Sequence, residues 1–128
     1  MTDSVLRQEV ELVLEKYIRA FETGTREDLQ AFCRLPIAYV SDDEVQLRDR
    51  YPFDPVKLRE ITGIRRSQVV LNVVHIDDAK AHVLIEGTRN REDGSVVEHI
   101  NAVYILHKLD GIWKISLMSG LRKPPRDD

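Results

Sequence analysis

The sequence predicts an α+β domain, with amphipathic helices laid on one face of a mainly antiparallel sheet. Three observations predict it. Near the N-terminus, apolar residues recur every three or four positions. From Ser67 onward the apolar period becomes two. The four segments with that period are joined by turns too short for crossovers, so they form an antiparallel meander.

The first helix carries Leu6, Val10, Val13, Leu14, Tyr17, Ile18 and Phe21 on one stripe, with charged residues on the remainder. Asp3 or Ser4 is expected to cap its start, and Gly24 to end it in a left-handed conformation. Thr25 and Asp28 pair as a capping box for a short second helix that buries Leu29, Phe32 and Cys33. Pro36 stops that helix and pushes Leu35 into an extended conformation. Ile37–Val40 and Val45–Leu47 then read as a short hairpin around the turn Ser41-Asp42-Asp43-Glu44. Asp54-Pro55 opens a third helix, which Gly63 closes. Strands follow over 67–76, 79–90, 96–108 and 112–121, and Asp110-Gly111 is the dipeptide of a type I′ turn. Residues 1–121 read as one domain, and 122–128 as a flexible tail.

Composition removes several functional classes. Of the 128 residues 42% are apolar and 32% charged, and the net charge is −3, without the basic surplus of a nucleic-acid binder. No run approaches the roughly 20 apolar residues of a membrane span. Charges interrupt the first nine residues, so no signal-peptide core is expected. The single cysteine, Cys33, has no partner for an internal disulfide and reads as a small buried apolar residue. These features place the chain in the cytoplasm. Phosphate-loop and zinc-ligand spacings are missing from the sequence, so neither a metal nor another cofactor is expected.

Strand register sorts the side chains, because a period of two is strict. A two-residue loop at Asp77-Asp78 places Val70, Asn72 and Val74 on the helix-covered face with Ala81, Val83, Ile85 and Gly87. The Asp110-Gly111 turn puts Ile100, Ala102, Tyr104, Leu106, Trp113, Ile115, Leu117 and Ser119 on one face. A register across the 92–95 loop that keeps apolar with apolar joins the two sets, whereas a slipped register would bring His99 and Asn101 inward. The opposite face then holds Val69, Leu71, Val73, Leu84, Val103, Ile105 and Met118, together with all four histidines. So much apolar surface predicts a homodimer through Leu71, Val73, Leu84, Val103, Ile105 and Met118.

The run "YIRAFETGTREDLQAFCRLPIAYV" resembles the opening of SnoaL-like domains of the nuclear-transport-factor-2-like superfamily. "DDAKAHVLIEGTR" and "LDGIWKISLMSGL" are similar to its later strands. The resemblance covers Ser4 to about Leu121. It implies a strongly curved sheet wrapped on the helices, leaving a cone with an open pocket, and a homodimer through the sheet. Family members include isomerases, cyclases, dehydratases and non-catalytic binding proteins, so the fold does not choose an activity.

Within that frame Tyr17 resembles the placement of a helix Tyr used in isomerase chemistry, and Asp42 lies where a catalytic base is expected. The plainer readings are a core tyrosine and an ordinary turn residue. Tyr17, Phe21, Tyr39, Tyr51, Tyr104 and Trp113 are expected to line the pocket, with Asn72 and Ser119 as polar points. Arg48 and Arg50 either grip an acidic ligand or form a solvated cluster with Asp49. The histidines His75, His82, His99 and His107 sit on different strands without i, i+2 spacing, so they read as dimer rim or solvent-exposed rather than as metal ligands. The leading expectation is a protein that binds a hydrophobic or weakly acidic organic compound. A cofactor-independent isomerase, cyclase or dehydratase is the second, and a ligand-free interaction module the third. A carboxylate near Tyr17 favours the enzyme, a roomy pocket the binder, and a closed cone the interaction module.

Overall fold

The apolar stripe of the first helix decides how the layers stack. In the computed structural model, which describes residues 2–121, α1 (Asp3–Thr23) buries Leu6, Val10, Leu14, Tyr17, Ile18 and Phe21. Thr2, not Asp3 or Ser4, is its N-cap, and its side chain accepts from the Val5 N–H. Gly24 is extended rather than left-handed. The orphan carbonyls at that helix end are met differently. Arg59 donates from Nη1 to the Phe21 carbonyl at 2.8 Å and from Nη2 to the Gly24 carbonyl at 2.7 Å.

The remaining elements follow in the expected order. They are α2 (Arg26–Gln30), β1 (Cys33–Val40), β2 (Val45–Arg48), α3 (Pro55–Thr62), β3 (Ile64–Ile76), β4 (Lys80–Arg91), β5 (Val96–Leu109) and β6 (Ile112–Gly120). The capping box of Thr25 and Asp28 is present, Asp54 caps α3, and Gly63 adopts the left-handed conformation at φ 79°. Asp110 and Gly111 both have positive φ, as a type I′ turn requires. The predicted tail, 122–128, lies outside the described residues. None of the described helices is long and apolar enough to cross a membrane.

The six strands form one curved, open sheet in the order β2-β1-β6-β5-β4-β3. All neighbours are antiparallel except β1 and β6, which run parallel. That ladder is interrupted between Cys33 and Ala38, where the Leu35–Pro36 peptide bond is cis. At Gly87 the strands approach so closely that a Cβ would lie 1.9 Å from the Gln68 carbonyl oxygen.

Two β-bulges correct the predicted faces. Ile76 pairs with Ala81, because the Asp77 carboxylate accepts from the Ala79 and Lys80 amides and holds a four-residue loop. That change alone preserves parity. The extra residue, Val74, then separates the pairs His75–His82 and Val73–Val83, and parity flips from Val73 back to Arg66, before a second shift at Ile64. Leu71 and Val73 therefore turn toward the helix instead of outward. Asn72 and Val70 turn outward, and Asn72 is exposed. In β6 the extra residue is Ser116, whose hydroxyl donates to the Ile105 carbonyl. Beyond it Met118 is buried opposite Tyr104, while Leu117 and Ser119 face outward.

Between β4 and β5 the predicted register holds: Val83 meets Tyr104, Ile85 meets Ala102 and Gly87 meets Ile100. The core thus joins α1 to Trp113, Ile115, Leu106, Tyr104, Val83 and Ile85. Glu9 ties the layers at their edge, accepting from Trp113 Nε1 at 3.0 Å and Lys108 Nζ at 3.1 Å. Leu14 is fully buried in this cluster. Leu14→Ala is expected to cost about 2–5 kcal/mol in chemical denaturation. A loss below about 1 kcal/mol would contradict this packing.

Candidate functional site

Three tyrosines meet inside the core. Tyr17 arrives on the buried stripe of α1, and Tyr104 on the inner face of β5. Tyr51 comes from the segment between β2 and α3. The Gln30 side chain holds its amide at 3.1 Å, and its ring stands edge-on to Phe53. The Tyr17 hydroxyl lies 2.5 Å from that of Tyr51 and 3.2 Å from that of Tyr104. All three side chains are buried.

The three hydroxyls do not use all their protons on one another. Three hydroxyls bring three protons but make two contacts, so one proton is left over. Burial pushes the Tyr17, Tyr51 and Tyr104 phenols above their ordinary pKa, and for Tyr17 the neighbouring tyrosines add to the effect. The cluster is therefore neutral and donates hydrogen bonds at ordinary pH.

Beside it lies a cavity of about 20 Å³, lined by Tyr17, Ile18, Phe21, Ser67, Val69, Ile85, Arg89, Ile100 and Tyr104. That is room for about one water, so the roomy open pocket expected from the resemblance is not present beside the tyrosines. Arg89 enters on the inner face of β4, opposite Ser67 and Glu98. Its guanidinium lies 4.3 Å from the centre of the Phe21 ring, and Nη1 is paired with the Glu98 carboxylate. Its Nε is buried without a hydrogen-bond partner. Burial works against the charge, but the bonded carboxylate of Glu98 outweighs it and raises the guanidinium pKa further.

Only some of the predicted site residues come together here. Tyr17, Phe21 and Tyr104 line the cavity, and Tyr51 stands behind Tyr17. Tyr39 faces inward but packs edge-on against Phe53, with Arg48 over its ring at 5.9 Å. Trp113 is buried elsewhere, bonded to Glu9. Asn72 and Ser119 are on the outer face, turned away by the two bulges. Asp42 is exposed in the β1–β2 turn. It lines a separate surface hollow with His99 and Asn101, whereas Tyr17 is buried. Arg50 is exposed.

The sequence reading missed Arg89, although its signal was present. Continuing the alternation of Ala81, Val83, Ile85 and Gly87 by one step puts Arg89 inward. A cation in that register has to find a partner. The four histidines lie on the outer side as expected, with His75 Nε2 at 2.7 Å from Asp77 Oδ2. Among the described residues no group of His, Cys, Asp and Glu has the arrangement to hold a metal ion.

No protein-family model matches the chain, and no curated protein matches it in sequence. Solved structures do match in shape. A cystatin-like domain of unknown function from Nostoc punctiforme PCC 73102 superposes with a TM-score of 0.74 at 16% identity, covering 97% of this chain and 81% of that one. An NTF-2 like protein of unknown function from Silicibacter pomeroyi DSS-3 gives 0.66 at 14%, covering 94% and 98%. A candidate scytalone dehydratase from Novosphingobium aromaticivorans DSM 12444 gives 0.62 at 15%, covering 92% and 84%.

The buried acids of the core make stability depend on alkaline pH. Burial lifts the Cys33 thiol to about 12, and the three phenols are lifted as well. Unfolded, these groups ionise near their ordinary values, about 8.5 for the thiol and about 10 for the phenols. Their contribution is complete below those values and lost as pH rises toward the folded ones. Unfolding free energy should therefore fall from about pH 8.5, and more steeply above about pH 10. Denaturation at stepped pH with phenolate absorbance checks this. Phenolate appearing in full near pH 10 in the folded protein would contradict it.

Proposed function

Taking the cystatin-like, nuclear-transport-factor-2-like fold as premise, we propose that this chain is a non-catalytic binding module for a small, largely apolar organic molecule. The supporting observation is the meeting of the tyrosine hydroxyls and Arg89 at one cavity whose other walls are mainly apolar. Apolar walls with a few convergent polar groups are the general form of a ligand site. Val69, Arg89 and Ile100 are the lining residues that are only half-buried, so the cavity opens on their side. A ligand larger than one water enters when the Val69 and Ile100 side chains at that opening move apart.

Isomerase, cyclase or dehydratase chemistry is the less supported alternative. It asks for a base near the tyrosine, and no carboxylate is among the residues that line this cavity. Donors alone bind and polarise a ligand but do not take a proton from it. The lone buried thiol of Cys33 is compatible with a reducing, cytoplasmic setting.

A panel of small hydrophobic acids and their neutral isosteres, measured by ligand-observed NMR, tests the proposal. At least one compound should bind at about millimolar affinity or tighter. Ile100→Phe, a smaller increase in volume directed at the cavity, should remove that binding while the protein stays folded. A panel without binders would refute the reading.

We propose in addition that the chain works as a homodimer through the outer sheet face, the ligand-free interaction role being the third reading. Val45, Leu47, Val70 and Val74 are 69, 72, 72 and 53% exposed there. Leu84, Val103, Ile105 and Leu117 lie on the strands between them, half-buried. Together they make apolar surface on five of the six strands, more than a solvated monomer usually shows. A two-fold copy is the simplest cover. Sedimentation on the order of tens of micromolar should give a dimer that Val103→Glu dissociates. A wild-type monomer at that concentration would end the proposal.

A further inference from the structure

Resting on the binding reading above, we propose that the ligand carries a carboxylate, received by Arg89 Nε and the spare hydroxyl proton of the tyrosine chain. The argument is a count of donors and acceptors. Arg89 already uses Nη1 on Glu98 and lays its plane over Phe21. Its Nε–H stays buried and unpartnered beside the cavity. The tyrosine chain has one more proton than it has contacts. Tyr17 and Tyr104 line the cavity and Tyr51 does not, so with the spare proton on either of those two, two donors converge on a space that no carboxylate lines.

An occupant that brings only acceptors answers both donors. Water accepts twice, but it also brings two protons of its own, for which the cavity offers only the hydroxyl oxygens of Ser67, Tyr17 and Tyr104 among walls otherwise formed by Ile18, Phe21, Val69, Ile85 and Ile100. A carboxylate brings no proton, and its bond to a guanidinium is of the stronger, charge-assisted kind. Glu98, about half exposed, now supplies the counter-charge from outside the cavity. A ligand carboxylate competes with it for the same cation.

Benzoate and benzamide are matched probes, compared by calorimetry and by the Ile100 and Ile85 methyl shifts. Benzoate should bind at least about tenfold more tightly. Arg89→Met should remove that preference. Glu98→Gln, which keeps the side-chain length and a carbonyl acceptor for Nη1 but removes the competing charge, should tighten benzoate severalfold. If Arg89→Met fails to fold, the Glu98→Gln result still decides. Equal affinity for the two probes, or weaker benzoate binding in Glu98→Gln, overturns the proposal. So does binding of neutral panel compounds while benzoate is ignored, and in that case the binding reading survives. A panel with no binders removes both.

Discussion

Tyr17 brings a hydroxyl into an apolar core, and the rest of the architecture answers to that. A buried hydroxyl left unpaired costs about 1–3 kcal/mol, so it has to be met. Tyr51 and Tyr104 meet it, and they come from distant stretches of chain. Tyr51 is in turn held by Gln30 of α2 and by Phe53. One polar group on the first helix thereby ties together α1, α2, the segment before α3, and β5. The same cluster fills the centre of the cone and leaves a space of only about 20 Å³ beside it.

Charged side chains finish what the core begins. Arg59 closes the end of α1, and Glu9 joins the start of α1 to Trp113 and Lys108. Glu22 accepts from the Ser67 amide at 2.6 Å, fixing β3 beneath the end of the helix. Arg7 donates to the Val73 carbonyl at 2.7 Å, next to the bulge in β3. Glu22 and Arg7 reach the sheet backbone, Glu9 reaches side chains of β5 and β6, and Arg59 reaches α1 from α3. Together they set where α1 lies and leave the chemistry of the cavity to Arg89 and the tyrosines.

The nature of the bulges explains where sequence reading stopped. Alternation placed Ala81, Val83, Ile85 and Tyr104 correctly because β4 and β5 stay in step where those residues pair. It reversed Asn72, Leu71 and Val73 because one extra residue, Val74, flips the positions before it as far as Arg66. Both settings of β3 offer the core a row of branched apolar residues: Val70 and Val74 in one, Val69, Leu71 and Val73 in the other. Hydrophobicity alone does not separate them. Ser116 did the same to Met118 and Ser119.

By itself the sequence determined the elements and their order. Helix and strand periods, the Thr25–Asp28 and Asp54-Pro55 starts, and the Asp110-Gly111 turn are local, and each needs only its neighbours to be read. It also determined that Tyr17 and Trp113 would be inside. Tertiary structure alone decided that β1 lies parallel to β6, which residues of β3 and β6 face the helix, and that Arg89 joins the tyrosines. Those outcomes depend on pairings between segments far apart in the chain. A single residue added to one strand, invisible in the pattern of the other, changes which atoms meet.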